Sequence, residues 1–406
     1  MQTTWQAWTR CNYVSIHQCR KHFTHCKVAS YNNSPNSENF VGDPVESPTG
    51  RSNREFLSYP TKIPLAYILS DTGPMKTEKL DPLTKSNLPK QRFPVNKRKN
   101  ISKQIKPKQY NQDMSPQPKV IVVGASGYIG KAALQALASR HAGRLAAYAG
   151  VRDTSKFDAA IDGIKVVQAD MGDKKALAQA LRGYDRVFLV VPGHERRTEL
   201  ALNGIEAAKA AGIKFLLVLS VPTSGEKTIF GKQFEPIEKQ TKDSGIDYAI
   251  IRLPLFIDNN YANVGSIKGQ ATFYDPRDPT KLHTPVAVAD AGKAAADILA
   301  NPTAHVGKTY KLAMPAFSLN DLAAAFSKSL GKEIKHTKVS YEAAKEAFIG
   351  MGFPEWQTDG IMEIFHDIDN DSPLTNQADT GDIERITGEK AMTVDEWVEQ
   401  NAAAFQ

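Results

Sequence analysis

Cysteine is confined to the first 26 residues: Cys11, Cys19 and Cys26 are the only three in the 406-residue chain. Residues 27–406 therefore hold no disulfide framework, thiolate metal site, Cys-x-x-Cys redox pair or cysteine nucleophile. Long apolar runs are missing as well. IPLAYIL at 63–69 is among the longest, far short of the ~20 residues that cross a bilayer as a helix. Acidic residues are absent from the first 37 positions. Residues 114–406 lack an excess of positive charge: residues 1–113 carry 18 Lys+Arg against 8 Asp+Glu, leaving 33 basic and 36 acidic for the rest. The overall charge of +7 thus comes entirely from the first quarter, and the body shows no basic stripe of the kind nucleic-acid binding requires.

The first 113 residues read as a disordered basic extension. Clusters such as YNNSPNSEN (31–39) and KQRFPVNKRKNISKQIKPK (90–108) show neither helical nor strand periodicity, and too little apolar surface to offset the entropy of ordering. Three readings stay open: a mitochondrial transit segment marked by Arg10, Arg20, Lys21 and Lys27, an upstream over-extension of a protein that starts at Met114, or a basic arm. CRKHFTHC (19–26) has Cys and His, but its spacing matches no recurrent structural zinc pattern, so no metal is expected. A cytoplasmic protein is expected, or a mitochondrial one if the extension is retained.

At Lys119 the texture changes. KVIVV is a continuous β-branched run, as in a strand buried on both faces of a parallel sheet, and GASGYIG (124–130) follows. A helical segment, KAALQALASRHAG, comes next. A buried strand, glycines three apart and a helix start form the context of a dinucleotide cradle. Gly124 permits the turn, Gly127 admits a pyrophosphate, and Gly130 lets the helix pack on the sheet. Ser126, Tyr128 and Ile129 complete the loop, and the helix start offers its N–H groups to phosphate.

LAAYAGV (145–151) is a second strand ending at Arg152, 22 residues past Gly130. A carboxylate at this tip takes the ribose 2′-hydroxyl of NAD, whereas an arginine accommodates the 2′-phosphate of NADP. Arg152, supported by Lys156, favours NADP(H), with NADPH preferred over NADH. Asp153 taking the ribose is the competing reading. Further strands follow at IKVVQAD (164–170), DRVFLVV (185–191), KFLLVLS (214–220) and DYAIIRL (247–253), separated by helices. Such alternation implies right-handed crossovers and a Rossmann-type α/β fold with a doubly wound parallel sheet. Asp170, Met171, Val191, Pro192 and Ser220 should then line the ligand edge with Gly124 and Arg152. The core is expected over about 118–300, with a smaller C-terminal α+β substrate lobe over about 301–406. That lobe carries Phe353, Trp356, Met362 and Phe365, which either cover the cleft or form the lobe's own core.

A short-chain dehydrogenase would follow Ser220 with Tyr-x-x-x-Lys on the next helix, the tyrosine acting as general acid. No tyrosine lies between Val221 and Gly245. YEAAK (341–345) has the spacing but falls far along the chain and reads as an ordinary helix start.

GASGYIG, VRD (151–153), ADMGD (169–173), IEKQTKDSGIDYAIIRLPLFIDN (237–259) and GFPEW (352–356) together resemble the NmrA-like group of atypical short-chain dehydrogenases. The resemblance spans about 118–406. It extends to quinone-oxidoreductase-like and isoflavone-reductase-like members, and also to members that bind NADP without turnover. It implies NADP(H) as cofactor, Arg152 as the 2′-phosphate residue, Ser220 beneath the nicotinamide, and Phe256 flanking nicotinamide and substrate. Some members carry a lysine in the loop before the helix at Ile237. Here Phe234 takes that position, and Lys232 would serve as the catalytic residue only if the loop were shifted by two. His283 is expected to be a structural histidine. The expected function is hydride transfer to a quinone-like or other conjugated small-molecule acceptor, the alternative a non-catalytic NADP(H) sensor acting through a protein partner. Neither nucleic acid nor membrane is an expected partner, and a homodimer is left open.

Overall fold

The structure is a computed structural model that describes residues 117–406 except 158–160, 162 and 377–380. The expectations for the basic extension, the cysteine–histidine cluster and Met114 lie outside the described residues.

A seven-stranded, all-parallel sheet organises the chain, in the order β3-β2-β1-β4-β5-β6-β8. Its strands are β1 Lys119–Val123, β2 Ala146–Val151, β3 Lys165–Gln168, β4 Arg186–Leu189, β5 Phe215–Ser220, β6 Asp247–Arg252 and β8 Lys308–Lys311. The order reverses between β1 and β4, the switch point at which doubly wound sheets bind ligands. Central strands are apolar on both faces because helices cover both: Val120 to Val123 and Leu216 to Val218 are fully buried, as parallel sheets require.

On one face α1 (Tyr128–Arg140) packs against α6 (Val288–Ala300). The two approach so closely that a Cβ at Gly292 would come within 2.6 Å of the Ala132 backbone. The neighbouring helices α2 (Lys174–Ala180), α3 (Arg197–Ala211) and α4 (Ile229–Asp243) pack in succession. Ala201, Ile205 and Ala208 of α3 are buried, as their spacing predicts. Beyond β6 come α5 (Val264–Gln270) and β7 (Thr272–Asp275). After β8 come α7 (Leu319–Leu330), β9 (Lys335–Lys338), α8 (Tyr341–Gly350), α9 (Glu355–Asp369), α10 (Asp382–Thr387) and α11 (Val394–Phe405). Helices α7 and α11 start in capping boxes, Ser318 with Asp321 and Thr393 with Glu396.

The lobe boundary differs from the expected division near residue 300. β8 pairs in parallel with β6 and extends the main sheet, while β7, from the earlier half, pairs with β9 in a separate two-stranded sheet. Along β6, β7, β8 and β9 the chain therefore crosses between the two sheets three times. Helix α4 also differs from expectation. It begins at Ile229, not Ile237, and runs through Pro236. Interior proline costs roughly 3 kcal/mol, but Phe234, Ile237 and Thr241 bury one face of this helix, which offsets that penalty.

Candidate functional site

The carboxyl ends of β1, β2, β4, β5 and β6 lie side by side, as the register Gly150–Val123–Leu189–Val218–Ile250 fixes. Gly124 and Arg152 directly follow β1 and β2, Ser220 ends β5, and Val191 and Pro192 come two and three residues after β4. Gly124 adopts φ +85° and its space is filled: a Cβ would meet the Val190 carbonyl oxygen at 2.6 Å. Gly130 is equally constrained, with the Gly124 carbonyl oxygen at 2.6 Å and Ala125 Cα at 2.7 Å from such an atom. Gly127 is different. Its nearest neighbour would be 3.6 Å away, so nothing inside the chain demands glycine, and the bare backbone faces outward beside the exposed Ser126 and Tyr128. Ile129 points inward and is buried.

Helix α1 has no side-chain N-cap and no acidic residue in its first turn. By contrast, α2, α4 and α8 are capped by Asp173, Thr228 and Ser340. The uncapped first-turn N–H groups and the positive end of the α1 dipole suit a phosphate. An open glycine beside an uncapped helix start is what a dinucleotide pyrophosphate requires, so these residues fit the group.

At the tip of β2, Arg152 is exposed and has no ion pair among the described residues. Its neighbour Asp153 is committed. Oδ1 accepts from Ser155 N–H (3.0 Å) and Oγ (2.6 Å), and Oδ2 meets Lys156 Nζ at 3.1 Å. These bonds, with that to Ser155 the strongest, hold the carboxyl below its usual range. After β3, Asp170 closes a local turn onto Gly172 N–H, and buried Met171 is held by Asn203 through its carbonyl at 3.1 Å. Val191 is buried and Pro192 half-buried. Phe256 is half-buried and bridges to Val286.

Ser220 ends β5 as expected, but its side chain does not open toward a ligand. It is fully buried, Oγ donates to Glu238 Oε1 at 2.6 Å, and its carbonyl accepts from Leu253 N–H. Glu238 is also forked by Arg252, Nε to Oε1 and Nη2 to Oε2, both 2.8 Å. Burial pushes this carboxyl up, but the bonds from Arg252 and Ser220 outweigh it and hold the group below the ordinary range. Sequence reading missed this Ser–Glu–Arg cluster. Its one legible signal was Arg252 closing the apolar run of β6.

The segment expected as a loop before Ile237 is the start of α4, where two residues rotate about 200°: Phe234 is buried and Lys232 exposed on the opposite side of the helix. YEAAK is likewise occupied elsewhere. Tyr341 Oη donates to Asp369 at 2.8 Å and Lys345 Nζ pairs with Asp359 at 2.7 Å, so both tie α8 to α9. Burial, with the Asp369 bond, pushes the Tyr341 phenol well up. His283 is structural: its N–H donates to the Phe317 carbonyl, and burial, aided by Arg277, pulls its pKa down to about 3. Met362 and Phe365 form the lobe core with Ala344 and Ile368. Trp356 instead reaches Phe230 of α4, ring centroids 6.3 Å apart. Among the described residues no cluster of His, Cys, Asp or Glu could hold a metal, and no helix is long and apolar enough to cross a membrane.

Residues 116–398 match the NmrA-like family. The chain belongs to that family. Among NmrA-like and related proteins it is 31% identical over 256 residues to quinone oxidoreductase 2 of Escherichia coli (strain K12), covering 62% of this chain and 86% of that one. It is 28% identical over 290 residues to NAD(P)H azoreductase of Xenophilus azovorans, covering 70% and 99%. Among solved structures it matches the NADPH-dependent quinone oxidoreductase of Escherichia coli complexed with NADPH, with TM-score 0.60 and 27% identity over 69% of this chain and 99% of the other.

Proposed function

We propose that this NmrA-like chain is an NADPH-dependent reductase that passes hydride to a quinone-like or other conjugated acceptor. The carrying observation is the open Gly127 at the start of an uncapped α1, at the switch point of the sheet. NAD(P)H-dependent oxidoreductase activity is further supported by the azoreductase and quinone oxidoreductase relatives. NADPH preference rests on unpaired Arg152 beside an Asp153 whose carboxylate is already engaged.

When bound, the nicotinamide supplies a hydride, two electrons with one proton. The chain's residues hold the phosphates at Gly127 and α1, orient the ring along the carboxyl ends of β4 and β5, and bring an acceptor into near-attack range. No Tyr-x-x-x-Lys acid stands at the site, since Tyr341 and Lys345 are bound to Asp369 and Asp359. A quinone needs none. Hydride addition gives a stabilised phenolate, which takes its second proton from water, so quinone, NADPH and one proton yield hydroquinone and NADP.

The test is NADPH consumption by the full-length protein against a panel of small quinones, with NADH in parallel and cofactor binding measured separately. Quinone turnover favouring NADPH supports the proposal. Tight NADPH binding without turnover of any acceptor would sink it and favour a sensor.

A further inference from the structure

Arg197, the first residue of α3, is a buried charge without an ion pair among the described residues. It is only 7% exposed. Its guanidinium lies 5.2 Å from the Phe230 ring, 5.1 Å from Phe234 and 5.3 Å from Trp356, and no carboxylate pairs with it among the described residues. Nε is buried without a hydrogen-bond partner. Burial pulls its pKa down to about 10, which leaves it charged at neutral pH.

Helices α3 and α9 both begin without a side-chain cap, and the acids of their first turns, Glu199 and Glu355, pair with Arg196 and Lys345. Both helices bring their starts to this cage through Arg197 and Trp356. The nearby start of α4 has recruited Glu363, which accepts from Ile229 N–H at 2.7 Å, while exposed Arg196 takes Glu199 at 2.6 Å. Acids are therefore available in this region, yet none is spent on Arg197. Aromatic faces offset part of the desolvation of a guanidinium but satisfy none of its N–H groups.

The cage reaches the surface at the exposed Gly193, where a Cβ would stand in van der Waals contact with Arg197 Nη2 at 3.9 Å and Gln357 Nε2 at 4.0 Å. Gly193 lies four residues past the carboxyl end of β4, so two side-chain nitrogens converge beneath an exposed glycine, between the sheet and helix α9. The α1 cradle and Arg152 serve the cofactor phosphates on the β1–β2 side. We propose that Arg197, with Gln357 beside Gly193, is an anion site that seats a carboxylate or sulfonate carried by the acceptor. A planar, forked donor suits such groups. This deepens the reductase reading by naming the acceptor class: conjugated rings bearing an acidic substituent.

The test uses the full chain saturated with NADP and a redox-inert probe, 2-naphthalenesulfonate, against neutral 2-naphthol, by calorimetric titration. The sulfonate should bind at least about tenfold more tightly, with a preference that shrinks as salt rises. Arg197→Met, which keeps volume, should abolish the preference, and Arg197→Lys should retain part of it. In turnover, the ratio of kcat/KM for a sulfonated naphthoquinone over its parent should fall about tenfold or more in Arg197→Met. Equal binding of the two probes by the wild type, or an undiminished preference in Arg197→Met, would overturn the site. So would weakened NADPH binding in the variant with no sulfonate binding in the wild type, which would assign the arginine to the cofactor. If Arg197→Met lacks a cooperative melt, the wild-type comparison and Arg197→Lys decide. Sulfonate binding with no quinone turnover would remove the reductase reading and keep the anion site.

Discussion

Ser220 Oγ donates to Glu238 Oε1 across 2.6 Å, with Ser220 wholly buried and Glu238 only 3% exposed. Because Arg252 forks the same carboxylate, one acid ties α4 to the ends of β5 and β6. Glu238→Ala strands the Arg252 charge and the Ser220 hydroxyl, a loss of about 3 kcal/mol. Glu238→Gln keeps the shape and one acceptor, so its loss should be clearly smaller. Denaturant melts of both variants check this; equal losses would show that the charge is irrelevant there.

Gly130 has no room for a side chain, since a Cβ would come 2.6 Å from the Gly124 carbonyl oxygen and 2.7 Å from Ala125 Cα. Both contacts are backbone and cannot rotate away. Gly130→Ala must displace the turn that the proposed pyrophosphate site uses, and NADPH affinity should fall about tenfold or more. Fluorescence titration measures it. An unchanged dissociation constant would detach the turn from the cofactor.

Arg152 is the exposed cation at the β2 tip, and its replacement should act on one cofactor only. Arg152→Gln should raise KM for NADPH about tenfold while leaving that for NADH within about twofold. Steady-state kinetics with both cofactors would decide. Parallel losses would show that Arg152 does not read the 2′-phosphate.

His283 is neutral in the fold, its pKa pulled from the ordinary 6.5 to about 3 by burial first and Arg277 second, against the opposing pull of Asp275. Between these values the unfolded chain binds a proton that the folded chain refuses, so stability falls as pH drops below 6.5. The linkage amounts to about 2 kcal/mol between pH 7 and pH 5. His283→Gln should flatten that part of the profile. Chemical melts at the two pH values test it, and an unaltered slope would place the acid sensitivity elsewhere.

The β1–GASGYIG–α1 unit was readable because its constraints are local. Burial on both faces writes an unbroken apolar run, and close backbone contacts at Gly124 and Gly130 admit only glycine. β7 and β8 were not readable: TFYD and KTYK are four residues long, too short for a period, and the outer β8 keeps two of its residues exposed. Helix α4 was hidden by Gly231 and Pro236, which speak against a helix until its buried face is known. Arg197 was hidden by its neighbours. ERRTEL reads as a solvated charge cluster, and the fold divides two adjacent arginines at the helix start, Arg196 to solvent and Arg197 into an aromatic cage.

The outermost strand of the main sheet is contributed by β8, some 55 residues after β6 in sequence. A polypeptide cut after Ala300 would retain the cofactor cradle yet leave the DYAIIR strand with a bare row of amide and carbonyl groups beside apolar side chains. Such an unprotected border templates intermolecular strand addition. The half ending at Ala300, expressed alone, should consequently precipitate, whereas the chain that carries β8 covers that border.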